Sequence, residues 1–78
     1  MKPIYESKYL QLGLRIAYYR KLKGMTQEQL AEAIDRTPAF IGHVEAPNIS
    51  KAISLDTLFD IATALDVPPY KFLIFEED

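Results

Sequence analysis

Thr26-Gln27-Glu28-Gln29-Leu30-Ala31-Glu32-Ala33-Ile34-Asp35-Arg36-Thr37-Pro38-Ala39-Phe40-Ile41-Gly42-His43-Val44-Glu45 is the stretch on which the architecture turns. It contains two helix starts in quick succession. Thr26 is a good N-cap, and Gln29, three residues on, completes the spacing of a capping box. Leu30, Ala31 and Ile34 then mark the inward face of a helix of barely two turns, and Asp35-Arg36 forms a short turn. Thr37 is a second cap. Pro38 follows at the first helical position, where its missing N–H is no loss. Ile41 and Val44 point inward from this next helix, which ends near Glu45 because Pro47 cannot continue it.

The same punctuation extends in both directions. Upstream, Leu12, Ile16 and Tyr19 recur at helical spacing within a block from about Tyr9 to Lys23. Gly24 follows, where a left-handed residue closes a helix, and Lys21 and Lys23 suit its last turn. Downstream, Ala46 to Ile53 reads as a loop. Ser54 then caps a helix with Leu55, Leu58, Ile61, Ala62 and Leu65 on its buried face and Asp56 in its first turn. Val67-Pro68-Pro69 restarts the chain as a short fifth helix reaching about Leu73. No stretch alternates as a strand does. The expected fold is all-α: a compact five-helix unit covering residues 1–78, with its core at about 9–73, a short N-terminal arm 1–8 and an acidic tail 74–78.

The chain has 78 residues, no Cys and one His. That size suits one domain of modest stability. The absence of Cys removes disulfides and thiolate metal sites, and a lone imidazole excludes a His-rich metal site. No apolar run approaches the roughly 18 residues of a membrane span, and the start has no signal-like apolar core. The expectation is a cytoplasmic module without cofactor, metal or small-molecule ligand. The formal net charge is −2, unevenly spread. Residues 1–55 hold eight basic and five acidic side chains, whereas residues 56–78 hold one basic and six acidic. Such a chain can offer a basic face to a polyanion while its other end stays acidic.

Two short helices joined by a tight turn, at about 26–45, have the helix-turn-helix layout. The run Thr26-Gln27-Glu28-Gln29-Leu30-Ala31-Glu32, then Ile41-Gly42-His43-Val44-Glu45, Ser54-Leu55-Asp56-Thr57-Leu58 and Ala64-Leu65-Asp66-Val67, resembles the Cro/phage-repressor-like helix-turn-helix family, also called the xenobiotic-response-element family. The likeness spans roughly Leu12 to Leu73. It implies a lambda-repressor-like domain whose helix 37–45 lies in the major groove of DNA.

The resemblance also implies roles. Gln27 stands where the family contacts a phosphate, at a helix start that itself favours an anion; the plainer alternative is an exposed helix former. Arg20 and Glu45 fall where the family has a partly buried ion pair, which makes Glu45 structural rather than catalytic. Thr37, Pro38, Ala39, Gly42 and His43 occupy base-reading positions. Pro38 and Ala39 carry no side-chain donors, so His43 is the one polar side chain with reach in the body of that helix. Gly42 either lets the backbone approach the groove or allows close helix packing. Phe40 either packs as core or sits against the sugar-phosphate edge. Arg36, Asn48, Ser50 and Lys51 are further backbone-contact candidates. Ala46-Pro47 replaces the family's common Gly after the Glu, which leaves the path of residues 46–53 open.

Family operators are usually inverted repeats read by dimers. Phe59, Tyr70, Leu73, Ile74 and Phe75 are the candidate dimer contacts, the alternative being that Phe72 and Leu73 close the core. The expected function is sequence-specific binding of double-stranded DNA by a homodimeric transcriptional regulator, a repressor in the first instance. An antitoxin, a restriction–modification controller of the same fold, or a protein-interaction module are the alternatives. No nucleophile elbow, phosphate loop or metal motif points to an enzyme.

Overall fold

The computed structural model describes residues 1–76; Glu77 and Asp78 of the expected acidic tail lie outside the described residues. A 3-10 turn, Pro3–Tyr5, leads into α1 (Glu6–Leu22), followed by α2 (Gln27–Ala33), α3 (Pro38–Glu45) and α4 (Leu55–Leu65), and a 3-10 helix, Pro69–Leu73, closes the chain. One boundary differs from that read in the sequence, and so does one helix type. Helix α1 begins at Glu6 rather than Tyr9, so the arm is shorter than residues 1–8. The fifth helix is 3-10 rather than α. Pro68 and Pro69 have no N–H to give, and five residues are too few to develop the α pattern.

The helix starts follow from local chemistry. Thr26 forms the full capping box: its hydroxyl accepts from Gln29 N–H at 3.0 Å, and Gln29 Oε1 accepts from Thr26 N–H at 2.8 Å. The Thr37 hydroxyl accepts from Phe40 N–H, and the Ser54 hydroxyl from Thr57 N–H, both at 3.1 Å. Gly24 takes φ +74° after α1. The turn between α2 and α3 and the end of α4 use Asp35 (φ 57°) and Asp66 (φ 55°) instead of glycine. Short polar side chains tolerate that left-handed region better than most.

The buried apolar side chains form one cluster: Leu12 and Ile16 from α1, Leu30 and Ala31 from α2, Ile41 and Val44 from α3, Leu58, Ile61, Ala62 and Leu65 from α4, then Val67 and Phe72. Tyr19 is only half-buried and packs edge-on against Phe72, with ring centroids 5.3 Å apart. Helices α1 and α3 approach each other closely at Gly13. A Cβ built on Gly13 would overlap the carbonyl oxygen of Val44 and stand 3.1 Å from its carbonyl carbon. Gly13, not Gly42, is therefore the glycine that permits tight helix packing. A Cβ on Gly42 would meet only Gln27 Oε1, at 3.8 Å.

Candidate nucleic-acid interface

At about 100° per residue, the burial of Ile41, Val44 and Glu45 turns Ala39 and His43 to the opposite, outward face of α3. Thr37, Pro38, Ala39 and His43 are all exposed. Gly42 lies on the flank towards α2, and half-buried Phe40 lies on the other. Thr37 spends its hydroxyl acceptor on the Phe40 N–H, so it anchors the start of α3 as well as facing outward.

The α2 flank is organised by a buried polar group. Arg20 and Glu45 are 7% and 6% exposed. Arg20 Nε donates to Glu45 Oε2 at 2.7 Å, and Nη2 donates to Oε1 at 2.8 Å, a two-pronged pair. Arg20 Nη1 also donates to the carbonyl of Met25 at 2.8 Å, in the turn before α2. The hydrogen bond to Glu45 raises the Arg20 pKa above its ordinary value against the opposing effect of burial, with the carboxylate's charge adding a smaller push. Glu45 Oε1 accepts a further hydrogen bond from Gln27 Nε2 at 3.1 Å. Gln27 is thus half-buried and held across the end of α3 rather than free in solvent.

The other flank is built on Phe40. The Arg36 guanidinium carbon lies 4.0 Å from the centre of its ring, and Lys51 Nζ lies 5.8 Å from it. Both distances fall within cation–π range. Arg36 Nη2 also donates to the Thr57 hydroxyl at 3.2 Å, and that hydroxyl receives Ser54 Oγ–H at 3.1 Å. Phe40 therefore packs against the core and also supports two cations over its ring. Asn48 is exposed and Ser50 half-buried in the segment between α3 and α4; neither makes a side-chain hydrogen bond among the described residues. Thr57 is the participant that sequence reading missed. Its place behind the Ser54 cap marks a helix start, but nothing in the spacing pairs residue 57 with residue 36.

The apolar residues suggested for dimer contacts divide into two groups. Phe59, Tyr70, Leu73 and Ile74 are exposed, whereas Phe75 is half-buried and packs on the core. Leu73 and Phe75 border a cavity of about 260 Å³ with Tyr9, Leu12, Leu55 and Leu58. Phe59 stands apart from that cavity, beside Pro68 and Pro69. The Glu76 N–H donates to Gln11 Oε1 at 2.9 Å, fixing the end of the described chain along α1.

Among the described residues no helix is long and apolar enough to cross a membrane, and no group of three or more His, Asp or Glu is placed to hold a metal ion. The fold is similar to that of the restriction-modification controller protein C.AhdI from Aeromonas hydrophila, with a TM-score of 0.79 and 29% identity over 87% of this chain and 96% of that one. It is also similar to the clp gene regulator ClgR from C. glutamicum, with a TM-score of 0.74 and 26% identity over 94% of this chain and 87% of that one. No curated protein matches the sequence. The pattern of the helix-turn-helix family matches residues 16–72, from the middle of α1 to the closing 3-10 helix, and the chain belongs to that family.

Proposed function

We propose that the protein is a sequence-specific, double-stranded DNA-binding transcriptional regulator that inserts α3 into the major groove as a homodimer and acts as a repressor. The observation that carries this reading is the dressing of α3. Its outward face is exposed, and each flank carries groups suited to a DNA strand. On one side are Gln27 and the amide-rich start of α2. On the other are Arg36 and Lys51 over Phe40. Arg36 is pre-oriented by Thr57, so it contacts a phosphate with little loss of side-chain freedom. Thr37, Pro38, Ala39, Gly42 and His43 face the base edges, and Asn48 and Ser50 extend the backbone contacts. Phe59, Tyr70, Leu73 and Ile74 supply the exposed apolar surface for pairing two copies over an inverted repeat. Selection of bound sites from random duplexes tests the reading. Enrichment of a palindromic motif at moderate salt is the expected result, and failure to enrich any motif refutes it.

The likeness to C.AhdI over nearly the whole of that protein favours a restriction–modification controller as the second reading. The two separate by where the selected motif occurs. A controller's site lies beside a restriction and methyltransferase gene pair, and a general repressor's does not.

A further inference from the structure

Arg36 and Lys51 come from opposite ends of α3, one from the turn before it and one from the segment after it, and both lie over the ring of Phe40. Among the described residues the ion pair is that of Arg20 with Glu45, so neither of these two cations is ion-paired. An aromatic ring supports a cation differently from a carboxylate. Its negatively polarised face attracts the charge without neutralising it and without accepting a particular N–H. Thr57 takes one of the five N–H donors of Arg36, and the others stay available to an anion. Both supports are fixed. Phe40 packs against the core from within α3, and Thr57 is buried in the first turn of α4.

We propose that Phe40 is a positioning residue for DNA binding: its ring is a platform on which Arg36 and Lys51 are held charged, unpaired and ordered before a phosphate arrives. The inference deepens the DNA-binding reading above and rests on it. Long basic side chains lose much rotamer freedom when a contact fixes them, and that loss weakens binding. Ordering them on the ring in the free protein makes the loss smaller. A carboxylate in the same place would order them equally well, but it would occupy their donors and repel the phosphate. An aliphatic side chain of similar size keeps the packing of Phe40 and offers no polarised face. Phe40 thus has a part in affinity that is separate from its part in the core.

The first measurement needs no DNA. The Arg36 side-chain protons should resonate upfield in the wild type, shifted by the Phe40 ring current, and return towards ordinary positions in Phe40→Leu. Circular dichroism checks that this variant keeps its helices. On the best-enriched duplex from site selection, Phe40→Leu should bind about threefold to fivefold more weakly than the wild type. Its slope of log affinity against log salt should stay unchanged, because no charge is removed, whereas Arg36→Ala should reduce that slope by about 1. When Arg36→Ala and Lys51→Ala are already present, adding Phe40→Leu should not weaken binding further. Arg36→Lys leaves the core untouched and gives a second measurement. It keeps the charge but loses the planar fork that lies on the ring and reaches Thr57, so affinity should fall at unchanged slope.

Four results overturn the proposal: wild-type Arg36 protons at ordinary positions, wild-type affinity in Phe40→Leu, wild-type affinity in Arg36→Lys, or an undiminished effect of Phe40→Leu after both cations are removed. The last assigns Phe40 to the packing of α3 alone. A wild type that enriches no duplex overturns the DNA-binding reading and the role in affinity together, whereas ordinary Arg36 resonances overturn this inference alone.

Discussion

Gly13 of α1 lies against the carbonyl group of Val44 in α3 so closely that a methyl group on Gly13 would overlap the oxygen. Backbone meets backbone there, and neither partner has a flexible end that can give way. Gly13→Ala is expected to destabilise the protein by at least about 1–3 kcal/mol, the usual cost of overpacking. Gly42→Ala, where an added methyl makes only ordinary contact with Gln27, is expected to stabilise it by about 0.5–1 kcal/mol. Urea unfolding followed by circular dichroism measures both, and the opposite signs distinguish the two glycines.

Arg20→Ala and Glu45→Ala each leave a buried charge without its partner. Either should cost about 3–5 kcal/mol. The double replacement Arg20→Ala with Glu45→Ala should cost less than the sum of the two single changes, because no orphaned charge remains. A double-mutant cycle in urea reads the coupling directly.

Asp35 holds φ 57° in the turn between α2 and α3. Asp35→Gly removes the strain and should be neutral or stabilising by up to about 1 kcal/mol, whereas Asp35→Val should destabilise by about 1–2 kcal/mol. Equal melting temperatures for the two variants would contradict a left-handed residue at this turn.

Much of this fold is written locally, and that part was legible. The caps at Thr26, Thr37 and Ser54, the left-handed Gly24 and the three-to-four-residue recurrence of buried positions on α4 each depend on residues within a turn of one another. Gly13 was not legible, because its constraint comes from Val44 on another helix and sequence spacing carries no such distance. The Arg36–Thr57 bond was hidden for the same reason. The candidate site was read as a set of residue types at family positions. Its arrangement, Gln27 drawn onto Glu45 and Phe40 supporting Arg36 and Lys51, is tertiary.

Lys51 stands over Phe40 at the edge of the interface, and His43 faces outward from the middle of α3. Lys51→Ala should weaken binding to all duplexes alike and reduce the slope of log affinity against log salt by about 1, whereas His43→Ala should change preference among sites by about 1–3 kcal/mol. Binding isotherms at several salt concentrations, on the selected site and on random DNA, separate the two behaviours. Equal losses on both DNAs after His43→Ala would remove it from the base-reading set.

The exposed Phe59 side chain gives a test of pairing that leaves the core intact. If the proposed homodimer forms through this surface, Phe59→Asp should be monomeric at concentrations where the wild type pairs, with unchanged helix content. Sedimentation equilibrium with circular dichroism checks both halves of that expectation.

Arg20 reaches three separate parts of the chain through one guanidinium: the turn carbonyl of Met25, both oxygens of Glu45 at the end of α3 and, through Glu45, the start of α2. These segments then have no independent way to come apart, since releasing any one strands a buried donor or acceptor of the others. Native-state hydrogen exchange should accordingly find a single opening event shared by the amides of α1, α2 and α3, instead of a ladder of partly open forms. For a protein this small, whose proposed reading helix is only eight residues long, the candidate DNA-facing surface is as rigid as the molecule is stable.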